Sequence, residues 1–286
     1  MLKRYNQKPR FYWLNRIFNR YTIKYWIIGG AVFLVALVSL IIYQNSRQIQ
    51  PSDTSFYRQN QIVVGFSMES SHFATVSEDG EIAGFNRDLI TELLSRIYPD
   101  ADVVCKQIDA QEASYLLKER EIDLAIGLFT SDVLKTQGLS LSNGYFTDGI
   151  YAYAAPGTGE ISQIMGKKVS VMTSDINKSV VTDALEKNAL EVEIFSCSSY
   201  PDGIQAVLNG NSAALITTQY KMSPYEGLEQ LSPALASVSY RILAWKNNSS
   251  AVSLLNNEIR SLREGGQLQT LREKWGLTEF TAPKQS

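Results

Sequence analysis

The chain contains one histidine, His72, and two cysteines, Cys105 and Cys197. A protein-built metal site needs several nitrogen or sulfur ligands at close spacing, and no Cys-x-x-Cys pair or second imidazole supplies them. No metal and no cofactor is therefore expected. The cysteines are separated by 91 residues and fall at or near the ends of different predicted strands. Two partly buried thiols are expected rather than a disulfide, even in an oxidising compartment. Also missing are a nucleophile elbow, an HExxH helix and a phosphate-binding glycine loop. No fixed short period recurs, which excludes a solenoid. Acidic residues are absent from the first 24 positions, which hold Lys3, Arg4, Lys8, Arg10, Arg16, Arg20 and Lys24. Taking these seven from 27 basic residues leaves 20 against 29 acidic ones, a net charge of −9 on the remainder. A body of that sign does not suit a nucleic-acid partner.

The next 22 residues, 25–46, carry no charge and are rich in Ile, Val, Leu and Phe. A bilayer core of roughly 30 Å takes about 20 apolar helical residues, so this segment is expected to span a membrane. Tyr25, Trp26 and Tyr43 lie near its two ends, where interfacial aromatics sit. The basic head places the N-terminus inside and residues 47–286 outside. No small-x-small cleavage site follows Leu40, and no cysteine closes the run as lipoprotein processing requires. An uncleaved single-span anchor is the expectation, with the C-terminal domain extracytoplasmic. The head alternates basic and aromatic residues, as in Arg10-Phe11-Tyr12-Trp13. That pattern fits either an interfacial amphipathic stretch or a plain topology signal.

After a polar tether at 47–60, strands and helices alternate. The β-branched run at 61–66 precedes a predicted helix at 86–97, whose Leu89, Ile90, Leu93, Leu94 and Ile97 share one face. A strand at 102–107, a helix at 110–120 and a strand at 122–128 follow. The pattern repeats with strands at 168–172, 192–195 and 213–217 and helices near 177–187 and 202–208. Extended runs at 149–155 and 238–245 resemble crossovers, and two helices near 250–263 and 266–275 end the chain. Such alternation implies βαβ units and parallel sheets.

The opening block IVVGFSMESSHFATVSEDGEIAGFNRDLITELLSRIYP resembles that of the family 3 extracellular solute-binding proteins, receptors of amino-acid ABC importers. Five more blocks follow in the same order: residues 121–146, 166–175, 200–219, 240–247 and 259–276. The resemblance implies an α/β, two-lobed type II periplasmic-binding-protein-like fold preceded by a single transmembrane helix. Its expected divisions are a basic cytoplasmic head at 1–24, the anchor at 25–46 and a linker at 47–60. Lobe 1 is expected at 61–150 with 240–280, lobe 2 at 153–238, and a tail at 281–286.

In such folds ligands bind where strand ends and helix N-termini converge. The expected ligand-binding residues are Ser67, Glu69, Ser70, His72, Phe73, Thr130 and Lys135 in lobe 1, and Ser174, Asp175 and Thr218 in lobe 2. The resemblance implies a lobe-1 arginine for the ligand carboxylate, and that position is Lys135 here. The ammonium-binding aspartate corresponds to Thr218, and an aromatic wall residue to Ser70. Lysine offers a point charge rather than a fork, and a buried ammonium without an acid partner is costly. Glu69 or Asp175 can supply an acid from another direction. Several residues also admit plainer readings: Phe73 as core, His72 as a surface side chain, Asp175 as an N-cap, and Gly84-Phe85 and Lys274-Trp275-Gly276 as structural.

The expected function is capture of a small polar solute, an amino acid or related compound at an atypical site, for an ABC permease. The alternative is a ligand-free or sensory ectodomain that binds another membrane protein. A dehydratase-like enzyme on the same fold stands behind both, because no motif joins Glu69, His72 and Lys135 into acid–base machinery.

Overall fold

The computed structural model describes residues 61–130, 138–172 and 178–281. All of them fall in the second of two compact units of the chain, Asp53–Ser286. The expected anchor at 25–46, and with it Lys135, Ser174 and Asp175, lies outside the described residues. No helix among the described residues is long and apolar enough to cross a membrane.

Two mixed sheets organise the unit. In chain order the first lobe opens with β1 (Gln61–Ser67), the short hairpin β2 (Thr75–Val76) and β3 (Ile82–Ala83), and helix α1 (Phe85–Ile97). Then come β4 (Asp102–Ile108), α2 (Ala113–Lys118), β5 (Leu124–Ile126) and β6 (Leu139–Leu141). The long β7 (Phe146–Ala154) enters the second sheet. There follow β8 (Lys168–Met172), α3 (Lys178–Lys187), β9 (Glu193–Cys197), α4 (Tyr200–Leu208), β10 (Leu215–Thr218) and α5 (Gln219–Met222). The strands β11 (Glu229–Gln230) and β12 (Ala236–Tyr240) complete that sheet. The chain returns through β13 (Leu243–Trp245) and ends in α6 (Ser249–Glu264) and α7 (Gln267–Lys274).

The first sheet runs β4-β1-β5-β13-β6 and the second β11-β7-β10-β8-β9, with β12 also on β7. The helix-connected strands pair in parallel: β1 with β4 and β5, and β8 with β9 and β10. The crossing strands do not. β7 is antiparallel to β10 and β12, and β13 is antiparallel to β5 and β6. The expected parallel sheets are thus mixed, because each chain crossing re-enters a sheet against its neighbours. The expected run at 238–245 also divides in two, since β12 and β13 belong to different sheets.

Helix α1 forms because its apolar residues recur on one stripe, and Phe85, Leu89, Ile90, Leu93 and Leu94 are buried by it. Its start is set by Gly84, whose φ of 122° few other residues adopt. A Cβ there would lie 2.5 Å from the Phe73 carbonyl oxygen. At its far side the Trp275 indole donates to Asp88 at 2.7 Å and Lys274 pairs with the same carboxylate at 2.6 Å. These contacts bind the terminal helices to the first lobe, a structural role for the Lys274-Trp275 pair. Cys105 on β4 and Cys197 on β9 form no disulfide.

Candidate functional site: a cleft between the lobes

The loop after β1 carries the first group of site residues. Ser70 accepts backbone hydrogen bonds from Phe73 and Ala74, each at 3.0 Å, and so turns the chain back toward α1. This tight turn buries Ser70 and Phe73 and leaves His72 exposed. Phe73 sits edge-on to Phe85, Phe146, Tyr220 and Tyr240, with ring centroids 5.0–5.7 Å away. Such pairs are favourable quadrupole arrangements. Phe73 therefore fills the core where the lobes meet, as its plainer reading has it. His72 lies edge-on to Tyr220 at 5.9 Å.

A cavity of about 850 Å³ opens beside this turn. Ser67, Met68 and Glu69 line it, with the end of β4, the segment leading to α2 and, from the second lobe, Met172, Tyr200 and Lys221. Its size falls within the range of small-molecule sites. The described charged lining comprises Glu69, Asp109, Glu112 and Glu121 against Lys106 and Lys221. Lys106 pairs with Glu121 at 3.1 Å near the rim.

The central contact is made by Lys221, only 5% exposed, whose Nζ donates to Glu69 Oε1 at 3.1 Å. The other Glu69 oxygen accepts from the Ser67 hydroxyl at 2.9 Å, which orients the carboxylate. Close by, the Ser70 and Ser223 hydroxyls lie 3.4 Å apart. Both contacts run from the first lobe to the second.

Lys221 is held in place by a hub at the crossing strands. Asp148 on β7 is 1% exposed and accepts from the Tyr220 backbone N–H at 3.1 Å and from the Tyr240 hydroxyl at 2.5 Å. The Thr218 hydroxyl is 2.9 Å from that of Tyr240. Burial pushes the Asp148 carboxyl above the ordinary aspartate range, against the opposing pull of its hydrogen bonds from Tyr240 and Tyr220. The second oxygen of Asp148 has no hydrogen-bond partner.

The structure brings together some of the expected residues and separates others. Ser67 and Glu69 line the cavity. Ser70 lies at the lobe contact, His72 on the surface, and Phe73 and Thr218 in the buried interior. Thr130 is buried just after β5. Adjacent side chains of a strand point oppositely, and β10 shows this: Thr218 faces Tyr240, while the Thr217 hydroxyl meets the Tyr200 hydroxyl at 2.8 Å. Tyr200 itself stacks on Tyr225 at 5.0 Å and lines the cavity. Sequence reasoning passed over Lys221, Tyr200 and Asp148. A lysine inside an otherwise apolar and aromatic stretch, Tyr220-Lys221-Met222, was the signal that pointed to the first.

A two-lobed mixed α/β unit with a cavity between its lobes defines a type II binding-protein-like fold. The chain belongs to the bacterial extracellular solute-binding proteins, family 3, which match residues 62–278. Among solved structures, a mutant of ArgBP from T. maritima is similar at 20% identity and TM-score 0.59, over 77% of this chain and 97% of that one. Tv2483 bound to L-arginine is similar at 17% identity and TM-score 0.63, over 78% and 94%. The ancestral amino acid-binding protein AncCDT-1, a precursor of cyclohexadienyl dehydratase, is similar at 16% identity and TM-score 0.60, over 77% and 96%. No curated protein matches the chain by sequence.

Proposed function

We propose that this protein is a membrane-tethered, extracytoplasmic receptor that captures a small polar solute, an amino acid or a related compound, between its lobes for an ABC-type importer. The observation that carries this reading is the cavity lined from both lobes, with a buried lysine and a carboxylate of opposite lobes facing each other in it. Pockets that bind polar solutes combine such convergent charged groups with aromatic and apolar walls, here Tyr200, Met68, Met172 and Ile108. The neighbouring structures support it, since ArgBP, Tv2483 and AncCDT-1 carry names or ligands of amino-acid binding proteins. The tether reading rests on the 22 uncharged residues at 25–46 and the basic head before them. The reading is of a binding protein rather than an enzyme: His72 is exposed and outside the cavity lining. Among the described residues Glu69 is held by Ser67 and Lys221.

The test is a thermal-shift screen of the full-length chain in detergent micelles against amino acids, organic acids, polyamines, small peptides and sugars. A true ligand at about 100 times its dissociation constant stabilises the native state by ~2.7 kcal/mol. Silence across every class from a folded sample would assign the chain to the alternative, a ligand-free ectodomain that binds a membrane protein. One observation favours that second reading: Glu69 and Lys221 pair directly with each other across the cleft.

A further inference from the structure

Among the described residues the first sheet ends on β4, whose strand partner is β1. At seven residues β4 is the longest strand at a sheet end, against three in β6, five in β9 and two in β11. An edge of that length carries a row of backbone donors and acceptors that another strand can take up. Its side chains divide by parity. Val103 and Cys105 pack on the core that holds the buried stripe of α1. Asp102, Val104, Lys106 and Ile108 lie on the other face, that of α2. Helix α2 covers the far end of that face, so Ile108 is buried while Val104 is 38% exposed.

We propose that β4 is the docking surface for a second copy of this chain. The two β4 strands pair antiparallel about a two-fold axis at Val104, so that the two first sheets become one. This inference rests on the membrane tether of the receptor reading and not on what the cleft holds.

The register follows from the sequence of β4, Asp102-Val103-Val104-Cys105-Lys106-Gln107-Ile108. A strand that pairs with itself about a two-fold axis sets residues of the same face opposite each other. Centring on Val103 puts Asp102 against Val104. Centring on Cys105 puts Lys106 against Val104 and Asp102 against Ile108. Centring on Val104 puts Asp102 against Lys106 of the second copy, twice, with the two Val104 side chains between these pairs. On the other face Val103 then meets Cys105. Opposite charges in facing positions attract and like charges repel. Edge charges that guard against association turn a second copy away, whereas Asp102 and Lys106, of opposite sign and equally far from Val104, draw it in. Lys106 also holds Glu121 at 3.1 Å, with both side chains more than two-fifths exposed. Its ammonium has three N–H donors, so it can take Asp102 as well. A strand pair of this length is small beside the roughly 1,200–2,000 Å² of a stable interface. It is therefore an association of copies held in one membrane, where tethering raises their effective concentration.

The test is oxidative cross-linking of the full-length chain in lipid vesicles, with copper phenanthroline as oxidant and a non-reducing gel as readout. In V104C/C105S the new thiols face each other across the axis, within reach of a disulfide. The control for random collision is Y115C/C105S, whose thiol replaces a side chain 59% exposed on α2. The expected result is a covalent dimer formed about tenfold faster by V104C/C105S than by the control or by native Cys105. Adding Asp102→Lys, an exposed substitution, turns two attractive pairs into repulsive ones and should cut that rate by about tenfold. Mixing this chain with one that carries Lys106→Asp instead restores both pairs, so cross-links should return between the two kinds of chain. A rate no faster than the control overturns the inference. So does preferential linkage through native Cys105, which means a different register, and so does indifference to Asp102→Lys or failure of the mixed chains to recover. All four leave the receptor reading standing. Flotation of the chain with the vesicles reports the tether separately, and a chain that does not float overturns the tether and this inference together.

Discussion

The interior carboxylate of Asp148 is the residue on which the site's geometry depends. It is buried, accepts from the Tyr240 hydroxyl and the Tyr220 backbone, and leaves one oxygen without a partner. Burial raises its pKa from the ordinary 3.8, so the folded state holds the proton more tightly than the unfolded chain. The sign of the linkage follows. Stability falls as pH rises from 3.8 through the raised folded value, and the cost is complete above it. An amide in its place does not titrate. Asp148→Asn should therefore gain on the wild type as pH increases from about 3.5 to 7, whatever its offset at acid pH. Urea unfolding midpoints across that range check this, and parallel profiles for the two proteins would count against it. Asp148→Ala, by contrast, leaves the Tyr240 hydroxyl and the Tyr220 amide without their acceptor. It should be about 1–3 kcal/mol less stable than Asp148→Asn at any pH, since neither variant titrates at this position and the alanine leaves buried donors unsatisfied.

At the scale of elements, the turn that joins the site loop to α1 is the most constrained junction. Gly84 has a φ of 122° and its α-carbon faces the Phe73 carbonyl and Ala74. Gly84→Ala brings a Cβ to 2.5 Å from that oxygen and 2.9 Å from the Ala74 α-carbon. Strain of this kind costs about 1–3 kcal/mol before any clash is added. Chemical denaturation should show at least that loss, with a melting curve as cooperative as the wild type. A variant of wild-type stability would mean that the turn relaxes freely. This junction was legible in the sequence, as were β1 and α1, because a β-branched run and a 3.6-residue stripe are local signals. The crossing strands were half legible. An extended run at 238–245 announces itself, but its division between two sheets depends on pairing with β7 and β5, distant in the chain. The site was less legible still. Lys221 enters the cleft because Asp148, 72 residues before Tyr220, fixes the start of α5. Which of Thr217 and Thr218 faces the cleft is decided by strand parity, where a shift of one residue reverses every side chain.

For the whole molecule the question is what holds the two lobes together. Near the crossing strands the contact is apolar and aromatic: Phe73 of the first lobe packs on Tyr220 of the second, with centroids 5.2 Å apart. The C-terminal segment adds to it, since the Thr278 N–H donates to the Tyr220 hydroxyl at 2.8 Å and the Phe280 N–H to the Thr147 carbonyl at 2.9 Å. Away from this axis the described polar contacts across the cleft are the Glu69–Lys221 pair and the weaker Ser70–Ser223 approach. Hinge closure turns on a few residues at the axis, so contacts far from it govern the open population. Removing the ion pair should then open the cleft without unhinging the lobes. In E69Q/K221M, amide hydrogen exchange in segments 67–70 and 221–223 should speed up together, since both lose their cover in the same opening. Exchange in the paired strands β1 and β4 should stay as slow as in the wild type, because their ladder lies within one lobe. Faster exchange everywhere would mean that the pair stabilises the fold rather than the closed form. Unchanged exchange at the cleft would mean that the aromatic contact at the axis is enough to keep the lobes shut.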